Sequence, residues 1–161
     1  MAVEALTATR RHKFALNSAN ANAVPKMANL VAVASTVEVT AAASATSTYT
    51  MARVPSNARL MAMSTLYFDD LASSGAPTLD IGLAGSQITD DPDALNDGID
   101  CATAAGSSRM IKEIADAGKF AWELAGETSD PGGMLEIYVS ILDAATNTGG
   151  TMTLELVYSV D

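Results

Sequence analysis

The chain has 161 residues with a formal net charge of −10, is 48% hydrophobic but only 5% aromatic, and contains one cysteine and one histidine. That length fits one domain with a real core, and a lone Cys101 rules out an internal disulfide as its staple. A surplus of acid argues against nucleic acid as the main partner, because phosphate binding needs excess Lys and Arg.

Charge is unevenly distributed. Residues 1–60 carry Arg10, Arg11, Lys13, Lys26, Arg53 and Arg59 against Glu4 and Glu38, a balance of +4, whereas residues 61–161 balance to −14. The first 29 residues show neither strand alternation nor a helical stripe, and the stretch NSANANAVPKMAN reads as an irregular N-terminal arm. Its basic cluster follows a short apolar stretch instead of preceding a long one, unlike a secretory signal. No apolar run is long enough for a membrane helix, so neither a membrane nor a secretory route is expected.

From Leu30 the pattern is β. Residues 30–40 (LVAVASTVEVT) alternate at their end, with Val37 and Val39 on one face and Glu38 and Thr40 on the other. A turn, AAASA, precedes TSTYTMARV, in which Tyr49, Met51 and Arg53 share a face. Pro55-Ser56-Asn57 is turn chemistry. Residues 58–70 (ARLMAMSTLYFDD) read as one central strand, apolar on both faces. Residues 77–83 (PTLDIGL) form a further strand with Leu79, Ile81 and Leu83 inward and Asp80 outward.

Residues 89–100 (TDDPDALNDGID) read as an acidic loop, and residues 107–118 (SSRMIKEIADAG) as a short helix carrying Met110, Ile111 and Ile114 in a stripe. Residues 119–124 fit either strand or helix. Two strands close the chain, 134–142 (MLEIYVSIL) and 151–160 (TMTLELVYSV), joined by a hairpin-like connection, AATNTGG. The expected fold is mainly β: an antiparallel β-sandwich or jelly-roll-like barrel over 30–161, with one short helix and the extended arm over 1–29.

Catalytic constellations are missing from the pattern. His12 lies among Arg10, Arg11 and Lys13 with no partner of its kind, which leaves no His-based triad or zinc site. Cys101 follows an acidic stretch that disfavours its thiolate, so it reads as a core residue. Read as a calcium loop from Asp93, the stretch has Asp97 and Gly98 in register, but Leu95 occupies a ligand position and no helices flank the loop. A solvated acidic turn is the expectation, and no metal or cofactor is assigned. A carboxylate pair for glycoside hydrolysis has no specificity among so many acids.

The stretch from Glu38 to Asp161, about three-quarters of the chain, resembles a family of tailed-phage virion proteins found near the major capsid gene. The landmarks are VPSNAR (54–59), STLYFDDLAS (64–73), LDIGL (79–83), DDPDALNDGID (90–100), GKFAWEL (118–124) and DAATNTGGTMTLELVYS (143–159). The resemblance implies a non-enzymatic capsid decoration or cement protein, made in the host cytoplasm and placed on the capsid surface of the virion. Its implied partners are the major capsid protein and further copies of itself, a trimer being favoured. On the residues themselves, Arg10, Arg11, Lys13 and Lys26 are the expected protein-interaction residues, since a basic arm complements an acidic body. Alternatives are a tail-tube or head–tail connector subunit and, in another class, a carbohydrate-binding or adhesion β-sandwich module.

Overall fold

The computed structural model describes residues 30–160. The expected arm, with Arg10, Arg11, His12, Lys13 and Lys26, lies outside the described residues. Nine strands run in chain order: β1 (Leu30–Val39), β2 (Thr48–Pro55), β3 (Ala58–Leu60), β4 (Thr65–Phe68), β5 (Thr78–Ala84), β6 (Asp91–Asp100), β7 (Gly106–Arg109), β8 (Met134–Leu142) and β9 (Gly150–Val160). A single 3-10 turn (Ile114–Asp116) and one four-residue helix, α1 (Ala121–Leu124), lie between β7 and β8. No helix among the described residues is long and apolar enough to cross a membrane.

The strands form two antiparallel sheets, as the alternating pattern implies. Sheet A runs β1-β9-β4-β7, with β3 also on β9; sheet B runs β2-β8-β5-β6. Period-two alternation puts Leu135, Ile137, Val139 and Ile141 of β8 on one face with Leu79, Ile81 and Leu83 of β5, and all seven are fully buried. They meet Leu66, Phe68, Met152, Leu154 and Leu156 from sheet A in one core. Side chains of two inner faces interdigitating in this way define a β-sandwich.

Five readings of the sequence need correction. The run 58–70 is two short strands, because residues 61–64 form a turn closed by the Ser64 N–H donating to the Met61 carbonyl at 3.0 Å. There the buried Ser64 stands in for a strand: its Oγ accepts the Val157 N–H at 2.9 Å and donates to the Val157 carbonyl at 3.2 Å. Ser64→Ala is therefore expected to leave the half-buried Val157 amide without this acceptor and to cost about 1 kcal/mol in urea unfolding, with the m-value unchanged.

The expected helix over 107–118 is instead β7 followed by loop and the 3-10 turn. Its apolar stripe does not share a face: Met110 and Ile111 are buried while Ile114 is 77% exposed. The expected acidic loop is strand β6, paired with β5 through two register shifts. Lastly, residues 143–149 make no hairpin, because β8 and β9 belong to different sheets. This crossover is tied down by buried Thr146, whose hydroxyl donates to the Thr40 carbonyl at 2.8 Å and accepts the Ala43 N–H at 3.0 Å. A bulge at Met51 in β2 also separates Met51, which is buried, from Arg53, which pairs with Glu136 on the outer face.

Candidate assembly surfaces

Two outer faces and four strand edges are what this sandwich offers a partner. The outer face of sheet A follows from register. Thr36, Thr153, Tyr67 and Ser107 align in one row, and Ala34, Glu155, Thr65 and Arg109 in the next. Neighbouring polar groups satisfy one another, as in the Thr36–Thr153 hydroxyl pair at 2.9 Å and the Thr151 hydroxyl donating to Glu38 at 3.1 Å. The result is a threonine-rich surface with one exposed aromatic, Tyr67.

The outer face of sheet B is acidic. Asp80 points outward from the middle of β5, as the alternation predicts, yet it is only 7% exposed. Its Oδ1 accepts the Gly98 N–H at 2.7 Å. Burial pushes its carboxyl above the usual 3.8, opposed by that hydrogen bond and reinforced by Asp93, Asp97 and Asp143. Burial, and next a hydrogen bond with Asp93, also raises Asp91. The Tyr138 hydroxyl beside them is raised by burial and then by Asp90, Asp91 and Asp93. Asp97 moves the other way because Lys112 pairs with it.

These directions fix a sign. A carboxyl whose folded pKa is raised contributes most when protonated, and that contribution is lost as pH climbs through the folded value. Asp80→Asn keeps an oxygen for the Gly98 N–H and removes the buried charge. The variant is expected to melt higher than the parent near pH 7, with the difference closing below about pH 4 in thermal melts. An unchanged Tm near pH 7 would show that Asp80 is not strained by its neighbours.

No group of three or more His, Cys, Asp or Glu side chains converges to hold a metal among the described residues. The acidic stretch is committed elsewhere: Asp97 pairs with Lys112, and Asp100 caps its own turn through the Ala102 N–H and the Thr103 hydroxyl. Cys101 is fully buried, and its thiol donates to the Pro77 carbonyl at 3.3 Å. Burial, with Asp100 next, pushes that thiol up to about 11, which leaves it a core residue. Trp122 stacks on Phe120 at 6.1 Å between ring centres, and Phe120 carries Arg59 at 3.7 Å. These aromatics brace α1 against β3.

The four edges differ. β6 displays Asp91, Pro92, Asp93 and Asp97 and is bulged, β2 is bulged and ends in Pro55, and β7 has four residues. Proline, charge, bulges and brevity are the devices that keep a sheet edge from pairing. β1 has no proline and no bulge and is not short: ten residues pair with β9 in unbroken register, and its sole charge, Glu38, lies near its end. Leu30 and Val33 are 46% and 38% exposed. Sequence reading singled out Arg10, Arg11, Lys13 and Lys26, which lie outside the described residues, and missed this edge, although the uncharged run LVAVA was its signal.

No family model and no curated protein matches the chain. Solved structures do. A chain of the capsid of Ralstonia phage GP4 superimposes with a TM-score of 0.60 at 21% identity, over 83% of this chain and 85% of that one. A chain of the cyanophage Pam1 capsid asymmetric unit does so with a TM-score of 0.56 at 17% identity, over 83% and 86%. The chain shares its β-sandwich fold with chains of two phage capsids.

Proposed function

We propose that this protein is a non-enzymatic structural subunit of a phage virion, and that within the virion it is a decoration or cement protein on the capsid surface. The observation that carries this reading is the shared fold with chains of two phage capsids over 83% of its length. The sandwich (30–161) and the basic arm (1–29) bind the major capsid shell, as a homo-oligomer, with a trimer favoured by the family resemblance. The arm residues Arg10, Arg11, Lys13 and Lys26 supply positive charge toward acidic surfaces, which suits bridging between neighbouring subunits.

Quantitative mass spectrometry of purified particles tests the assignment. Copies on the order of hundreds per particle, lost together with capsid heat resistance when the gene is deleted, are the expected result. A ring-sized copy number would move the protein to the tail tube or connector. Absence from the particle would sink the virion reading altogether.

A further inference from the structure

We infer that the open edge of β1 is a strand-acceptor site, and that its occupant is the segment Arg10–Leu16 of a neighbouring copy of this chain. This rests on the proposed function only in taking copies to lie side by side. The acceptor has three properties. It is the one long edge among the described strands without proline, bulge or a guarding charge over residues 30–37. Its far side pairs with no described strand, so alternate N–H and C=O groups face outward. Beside it lies a depression of about 290 Å³, lined by Ala32, Val33, Ala34, Glu155, Leu156 and Val157.

Register explains that depression. Ala32 and Ala34 face Val157 and Glu155 across the ladder, so two methyl groups leave a gap where larger side chains would close the surface. Apolar walls with one carboxylate at the margin suit an apolar side chain flanked by a cation. Residues 10–16 (RRHKFAL) have that chemistry: Phe14 and Leu16 fall on one face of an extended chain, directly after Arg10, Arg11 and Lys13.

Charge selects the segment over β1 of a second copy. Residues 30–160 hold five basic against seventeen acidic residues, −12, so bare sandwiches repel one another. Residues 1–29 hold Arg10, Arg11, Lys13 and Lys26 against Glu4, +3. A segment crossing to the next copy brings cations to an acidic body and satisfies the edge by main-chain hydrogen bonding. Because donor and acceptor patches differ, the contact is head-to-tail and closes into a ring when the rotation allows.

Two full-length variants test this in solution without capsid. Ala34→Lys fills the depression and sets a cation against the incoming segment; Phe14→Asp disables the donor. Ala34 is an exposed position, and circular dichroism checks that each variant folds. Light scattering is expected to find the parent associated and each variant alone monomeric. Their equimolar mixture should form a heterodimer, since one supplies the donor and the other the edge. Hydrogen exchange of the β1 amides should slow about tenfold or more as parent concentration rises.

A mixture that stays monomeric, or variants that associate like the parent, overturns the proposal. So does β1 protection already complete in a monomeric parent, which would mean that the segment folds onto its own chain. Association that survives deletion of residues 1–29 would assign the edge to β1 of the second copy instead. None of these outcomes depends on whether the protein is found in a virion, so the two readings fail separately.

Discussion

Gly82→Ala is expected to detach β6 from sheet B. Gly82 sits in the middle of β5, opposite Tyr138 of β8, on the outer face. A methyl group there meets the Asp91 carbonyl oxygen and lies 2.6 Å from Pro92 Cα and 2.7 Å from the Pro92 carbonyl carbon. All three are backbone atoms, so no rotamer change relieves the overlap. Overpacking against side chains costs about 1–3 kcal/mol. A main-chain obstacle puts this variant at or above the upper figure, and β6 must move.

For a sandwich of this size that corresponds to a Tm lower by about 10 °C. Hydrogen exchange locates the damage: Asn96 and Ile99 should lose protection while the β8 and β9 amides keep theirs. The acidic surface should change with it, because Asp91 and Asp93 are held over β5 by this close crossing. A variant with parental Tm and intact β6 protection would show that the chain does not pass over Gly82 as described.

β6 also shows where sequence reading stops. Its composition (DPDALNDGID) is poor in strand formers, and local propensity assigns it to a loop. Tertiary context overrides that preference. β5 offers an apolar edge, Leu95 and Ile99 turn inward, and bulges absorb the residues that do not fit. The buried Asn96 is satisfied across the sandwich by donating to the Arg109 carbonyl at 2.7 Å and to Ser108 Oγ at 3.2 Å. That link exists only once β6 and β7 have met, and no local window contains it.

β8, in contrast, is legible to the residue, because its Leu135, Ile137, Val139 and Ile141 alternate strictly and its core partners are equally regular. The connection after it misleads for a definite reason. Turn chemistry marks a change of direction, but the sheet a strand joins is decided by partners more than a hundred residues away, such as Thr40 and Ala43 for Thr146. The contrast between a basic stretch over residues 1–29 and an acidic remainder is a matter of counting charges. The openness of β1 emerges only when the edges are compared with one another.

Leu154→Ala is expected to give the other large loss, and its place in the topology determines how that loss spreads. β9 joins β1, β3 and β4 into sheet A. Leu154 lies at its centre, opposite Ser35 on one side and Leu66 on the other, and is fully buried. Removing a buried leucine to Cβ costs about 2–5 kcal/mol, the upper part applying where the surroundings cannot collapse. Here two sheets fix the walls, and Ser35 is too small to fill the space from β1. A loss of about 4 kcal/mol and a Tm drop above 10 °C follow.

Strain at this position is passed to β1, the strand with one neighbour, before β4, which β7 also supports. Exchange of the β1 amides should therefore accelerate more than that of β4. Association through the β1 edge should weaken in Leu154→Ala even below its melting temperature, although residue 154 touches no partner. Equal acceleration in both strands would mean that sheet A opens as one unit, and β1 would then have no separate stability through which to regulate assembly.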